Sequence, residues 1–129
     1  MTAYEIISQG FALAGESPDN WPDKKIAISW LNRAVAEAYP REKLIRERKG
    51  DAEIEMQYIN SISDVVDMDS VLCRVSLPLC IAEFLFTDRE NNTKALEMRE
   101  RFIKSLSAAA GSTEKSVEDC YGGAADVLQ

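Results

Sequence analysis

The stretch Val71–Thr87, VLCRVSLPLCIAEFLFT, constrains this chain more than any other, because 12 of its 17 residues are apolar. Leu72, Val75, Leu79, Ala82 and Phe86 recur at i, i+3, i+7, i+10 and i+14, which is one face of a helix. Leu77, Cys80, Ile81, Phe84 and Leu85 make a second apolar face. A helix that is apolar nearly all round must be covered from several sides. Arg74, Ser76 and Glu83 are too few to build a solvated face. The stretch is shorter than the roughly 20 residues a bilayer requires, and its charges and proline argue against a membrane span. Asp67, Asp69 and Ser70 are N-cap types and mark its start. Pro78 should remove the bond to the Arg74 carbonyl and kink the helix there. The expectation is a bent core helix wrapped by the other elements.

A length of 129 residues with 46% apolar content suits one domain with a modest core. Twenty-two acids against 15 bases give a net charge of −7, which argues against a general nucleic-acid binder. Histidine is absent, so serine–histidine and cysteine–histidine pairs and histidine metal sites are excluded within these residues. Cys73 and Cys80 lie about 10 Å apart along one helix, too far for a disulfide. Two buried reduced thiols and the odd Cys120 point to an intracellular protein, and no signal-peptide pattern is visible. No glycine-rich phosphate loop, CxxC pair or nucleophile motif appears, so no enzyme and no cofactor is expected. Asp64, Asp67 and Asp69 lack the ligand number and the glycine of a calcium loop. They read as turn and N-cap residues favoured by the helix dipole, and no metal site is expected.

Thr2 and Glu5 form a capping box for a first helix with Tyr4, Ile7, Phe11 and Ala14 on its buried stripe. Gly15 is its expected C′ residue. Ser17-Pro18 with Asp19 and Asn20 reads as a turn. Pro22 suits the first position of a second helix, with Asn20 or Trp21 at or beside the cap. Ile28, Leu31, Val35 and Ala38, widened by Trp30 and Ala34, mark its buried face. Pro40 should end it. Gly50-Asp51 is a turn signal. Glu53–Tyr58 alternates polar and apolar like a half-buried strand, and Leu44–Arg48 is the segment that would pair with it as a hairpin. A lone hairpin is marginal in water, so it would lie on the helices or add to a neighbouring subunit. A fourth helix is expected from about Thr93 to Ala109, with Ala95, Met98, Phe102, Leu106 and Ala109 inward. Its solvent side is marked by the i, i+4 pairs Glu97–Arg101 and Glu100–Lys104.

The fold class is therefore mainly α. Four main helices form a small bundle around a buried central helix, with a short β-hairpin or extended insert. The helical domain spans 1–110, with its insert near 44–63. Residues 111–129 form a flexible C-terminal arm, poor in apolar surface. Two stretches are candidate partner contacts. Arg41, Lys43, Arg46, Arg48 and Lys49 make up the one basic run, read either as a patch for an acidic partner or a nucleic-acid backbone, or as a solvated, salt-bridged surface turn. Val117, Cys120 and Tyr121, ahead of Gly122-Gly123, read either as a frayed terminus or as an arm that orders on a partner.

The order of parts resembles that of tailed-phage head–tail connectors, also called head completion or adaptor proteins. TAYEIISQGFALAG resembles the opening helix of that family, and WLNRAVAEAYPREKLIRERKG its second helix and basic exit. INSISDVVDMDSVLCRVSLPLCIAEFLFTDRENN is the most similar part, with its serine–aspartate turn, acidic cap, leucine–proline within an apolar helix and acidic, asparagine-rich break. VEDCYGG resembles the tail of some members. The resemblance implies a structural virion assembly protein that forms a homo-oligomeric ring between portal and tail. Its partners would be further copies of itself, the portal protein and a tail or stopper protein. DNA would pass through the ring without specific binding, and no membrane is involved. It would occupy the bacterial host cytoplasm during assembly and the head–tail junction of the virion afterwards. The alternative from a different class is a small helical adaptor or regulatory module that binds one cellular protein.

Overall fold

Asp69 opens the central helix: its carboxylate accepts the Val71 N–H at 3.0 Å and its carbonyl accepts the Cys73 N–H at 3.0 Å. The computed structural model describes residues 1–17 and 23–115, with the backbone alone for 110–115. After one α-helical start at Ser70 and Val71, residues Leu72–Ser76 form a π-helical turn. Helix α3 then runs Leu77–Asp88, with Pro78 in its first turn. The interruption expected at Pro78 thus lies one turn earlier. The Leu77 N–H bonds five residues back to the Leu72 carbonyl. This wider turn takes up the register that a proline ring would otherwise break by meeting the carbonyl four residues before it.

The π turn also changes which residues face inward. In a regular α-helix Leu72 and Val75 share a face. Here Leu72, Cys73 and Ser76 are buried, while Val75 is 44% exposed. Val75 therefore leaves the expected stripe and a serine replaces it. The Ser76 hydroxyl is satisfied by the Ser105 hydroxyl at 2.7 Å, which itself donates to the Phe102 carbonyl at 2.7 Å. Beyond the turn, Leu77, Leu79, Cys80, Ile81, Ala82, Phe84 and Leu85 are all buried.

Three further helices supply the cover. Helix α1 spans Ala3–Leu13 and has the expected capping box, with the Glu5 N–H on Thr2 Oγ1 at 3.2 Å and the Thr2 N–H on Glu5 Oε1 at 2.9 Å. Gly15 closes it at φ +75°, its N–H on the Ala12 carbonyl and the Glu16 N–H on that of Phe11. Its buried residues are Ala3, Ile6, Ile7, Gly10 and Phe11, whereas Tyr4 is 44% exposed and Ala14 half-buried. The face is rotated from the expected stripe because Gly10, which apolar periodicity ignores, is the point of closest approach. A Cβ there would stand 2.8 Å from Ile81 Cβ and 3.0 Å from the Pro78 carbonyl oxygen.

Helix α2 spans Lys24–Lys49. Its N-cap is Asp23, whose carboxylate accepts the Lys25 N–H at 2.8 Å. The start lies beyond the Pro22 position expected from sequence, and Pro18–Pro22 fall outside the described residues. The helix also passes through Pro40. Both Pro40 and Ala36, the residue that loses its hydrogen bond to it, are exposed, so water can satisfy the freed carbonyl. Beyond the proline, buried Glu42 and Ile45 keep the last turns packed. Gly50 closes the helix at φ +78°. Leu44–Arg48 is consequently helical and no hairpin forms. Among the described residues, extended backbones pair only at an isolated antiparallel bridge between Thr2 and Val65.

Helix α4, Asn92–Lys115, buries the expected Ala95, Met98, Phe102, Leu106 and Ala109. It continues past the expected end at Ala109 through Gly111–Lys115, and residues 116–129 of the expected arm lie outside the described residues. Glu97 pairs with Lys94 at 3.8 Å, and neither expected i, i+4 pair closes. Arg33 over Phe84 and Glu37 beside Cys80 set α2 antiparallel to α3. Arg99 with Glu83 and Ser105 with Ser76 set α4 antiparallel to α3 as well. The result is a four-helix bundle around the π/α3 element, with residues 51–69 as an irregular strap.

Two substitutions test this packing. Gly10→Ala improves helix propensity by up to about 1 kcal/mol, but the methyl meets the stem of Ile81. A net loss of about 1–3 kcal/mol is expected in urea unfolding, and a raised midpoint would refute the close approach. Glu90, exposed at φ +61°, occupies the left-handed closing position of α3. Glu90→Gly should raise stability by about 1 kcal/mol, read as a higher Tm.

Candidate functional surface

The strap is held to α2 by side chains that replace a neighbouring strand. The Asn32 amide pairs with both main-chain groups of Ile59, donating to its carbonyl at 2.9 Å and accepting its N–H at 2.7 Å. The Tyr39 hydroxyl donates to the Ile54 carbonyl at 2.5 Å, and Arg46 donates to the Ala52 carbonyl at 3.3 Å. Asn32, Tyr39 and Arg46 are spaced by seven and so share one helix face. They span about 21 Å of helix. Seven strap residues cover that distance, about 3 Å each, which is close to full extension. Gln57 does for the strap what Asn32 does for α2: its amide takes the Val65 carbonyl at 2.7 Å and the Asp67 N–H at 2.9 Å. Asp64 caps the intervening turn through the Asn60 and Ser61 N–H groups. The carbonyls of Asp64 and Ile62 receive the first two N–H groups of α1, from Ala3 and Tyr4, both at 2.8 Å.

What the strap leaves outward is unpaired. Apart from the Ile54 carbonyl, no main-chain group from Glu53 to Tyr58 has a hydrogen-bond partner among the described residues. Met56 is 52% and Tyr58 71% exposed, and Val65 beside them 62%. The expected alternation is thus read differently by the fold. Ile54 and Gln57 turn inward, while Met56 and Tyr58 face out.

The basic run is largely used within the molecule. Glu42, 2% exposed, accepts Arg46 Nε at 2.5 Å on one carboxylate oxygen and the Asp69 N–H at 2.7 Å on the other. Arg46 also faces Asp67 at 3.5 Å, and Lys49 faces Asp69 at 3.5 Å. The acids placed before the central helix thus act as turn, cap and ion-pair partners. Lys43 lies 5.8 Å over the Tyr39 ring. Arg41 is half-buried, and Arg48 is exposed. A run that looked like one basic patch is therefore split, because Glu42 and Ile45 face the core between its cations. Val117, Cys120 and Tyr121 lie outside the described residues. The sequence reading missed Glu42, Asn32, Tyr39 and Gln57. For the three on α2 the only available signal was a polar side chain at core-facing helical spacing, and Gln57 on the strap carried none.

A second charge cluster joins three helices. Arg99 of α4 meets Glu37 of α2 at 2.5 Å and Glu83 of α3 at 3.4 Å. Cys80 lies against Glu37, and burial pushes its thiol well above the usual range, as it raises that of Cys73. Such thiols are not nucleophiles at neutral pH. Burial also raises the Glu83 carboxyl, against the opposing pull of Arg99. Among the described residues no group of three histidine, cysteine, aspartate or glutamate side chains could hold a metal ion. No helix among them is long and apolar enough to cross a membrane.

The Glu83 shift sets a pH test. A carboxyl whose folded pKa lies above its unfolded one holds its proton more tightly in the fold, so its ionisation costs stability as pH rises through that window. Arg99→Met leaves Glu37 and Glu83 without their shared cation and strengthens this effect. Stability at pH 7 should fall by about 1–2 kcal/mol, and the loss should be smaller at about pH 4, where the raised Glu83 carboxyl takes up its proton. Urea midpoints of variant and parent at both pH values measure it, and an equal loss at each would contradict the assignment. No protein-family model matches the chain, and no curated protein or solved structure matches it either.

Proposed function

We propose that this chain is a structural assembly protein of the phage head–tail connector kind, which works through protein–protein contacts in a ring between portal and tail. The similarity of its helices, basic exit and leucine–proline core stretch to that family supports the reading. So does the helical bundle with an extended strap. The observation that carries it is the outward edge at Glu53–Tyr58. A rigid helix holds an almost fully extended backbone with its N–H and C=O groups unpaired and with Met56, Tyr58 and Val65 exposed beside it. Such an edge is a template for an added strand, with affinity from main-chain bonds and selectivity from alternate side chains. Glu53 and Glu55 have no ion pair among the described residues, so a partner strand with basic residues fits best.

The test is comigration of the full chain with the portal protein of the same genome in size-exclusion chromatography at micromolar concentration. The expected result is a complex whose affinity falls by about tenfold or more in Glu55→Pro. That variant removes one edge donor and leaves the anchors at Asn32, Tyr39 and Arg46 intact. Absence of a complex would overturn the connector reading in favour of an adaptor with a cellular partner. A complex indifferent to Glu55→Pro would place the contact away from the strap.

A further inference from the structure

α1, the central helix and α4 enclose a groove of about 200 Å³. Buried Pro78 and Leu79 line it together with the exposed Leu13 and Val75, and Arg74 and Arg101 stand at its rim. The groove exists because the π turn rotates Val75 out of the core. Arg46, Arg89 and Arg99 each meet a carboxylate, whereas Arg74 and Arg101, like Arg41, have no ion pair or hydrogen bond among the described residues, and these two stand together at one apolar slot. In a chain of net charge −7, two uncompensated guanidinium groups flanking an apolar slot specify a ligand that is acidic and carries an apolar side chain.

We propose that the occupant is residues 116–129 of this same chain, SVEDCYGGAADVLQ. This segment contains Glu118, Asp119 and Asp126 and no base, and Val117 and Tyr121 bracket the acid pair. An apolar side chain enters between Leu13 and Val75 while the carboxylates meet Arg74 and Arg101. The reach is sufficient. The 2.7 Å contact of Ser76 with Ser105 puts Val75 level with that turn of α4, so the helix end at Lys115 lies about 15 Å further on. Five more residues extend up to about 17 Å, enough to bring Cys120 back to Val75. Ser29, in the cleft between α2 and Tyr58, lies about 36 Å from Lys115 by the Glu37–Arg99 register and is beyond that reach. This inference does not rest on the connector reading.

Cysteine trapping in the full-length chain tests it. Val75→Cys places a thiol at the groove, and Cys120 supplies the other. A copper(II)–phenanthroline oxidant under air takes the two electrons, the two thiols release their protons, and one S–S bond forms. Cys73 and Cys80 are buried and do not compete. Non-reducing electrophoresis and peptide mass spectrometry should show the bond to Cys120 forming about tenfold or more faster than in a Ser29→Cys control. Arg74→Glu with Arg101→Glu in the Val75→Cys background should slow it by a similar factor, and the milder Arg101→Gln should slow it less. A monomeric cross-linked band means that the chain's own segment docks, and a dimeric band means a second copy's segment. Equal rates at positions 75 and 29, or no effect of the charge reversals, would overturn the proposal.

Discussion

Beyond its π turn the central helix has almost no solvent face to give up, and the other elements are arranged by the need to cover it. From Leu77 to Leu85 only Glu83 escapes full burial. A helix of this kind is stable only when other surfaces close around it. α1 approaches so closely that position 10 has no space for a side chain. α2 and α4 pack antiparallel along the remaining sides. Ion pairs between elements distant in sequence tie the bundle, Arg89 with Glu16 at the end of α3 and Arg99 with Glu37 and Glu83 midway along α2 and α3.

The strap illustrates a second constraint, that main-chain polar groups near the core must find partners. A hairpin would have supplied them, but its would-be first strand is the end of a 26-residue helix. Side-chain amides fill the gap. Asn32 and Gln57 each offer one donor and one acceptor, as a residue of a neighbouring strand would. Only the inner edge of the strap is satisfied in this way. The outer edge faces water, its main-chain groups from Glu53 to Tyr58 unpaired among the described residues apart from the Ile54 carbonyl.

Charge is spent in the same economical manner. Two of the five cations of the one basic run, Arg46 and Lys49, face acids of this same chain, and Glu42, the one buried acid among the described residues, joins α2 to the start of the central helix through a main-chain N–H. A buried carboxylate is tolerated when both of its oxygens are engaged. Two guanidinium groups without a carboxylate partner among the described residues, Arg74 and Arg101, stand together at the groove beside the π turn.

The sequence by itself determined the elements whose signals are local. The capping box at Thr2, the closing glycines at positions 15 and 50, the acidic cap before the central helix, the burial of that helix from Leu77 to Leu85 and the inward stripe of α4 all follow from spacing and cap chemistry within a few residues. Tertiary structure decided the rest. Pro40 ends a helix only if nothing beyond it is worth packing, and Glu42 and Ile45 were. Val75 belongs to the core stripe only in a regular α-helix, and the π turn ahead of Pro78 gave its place to Ser76. The face of α1 was chosen by contact with Ile81, which no periodicity within α1 contains. Whether Arg46 is a surface cation or the partner of a buried acid depends on residues some 20 positions away. Local propensity sets which segments become helices, but register, exposure and charge pairing are settled only when separate segments compete for the same space.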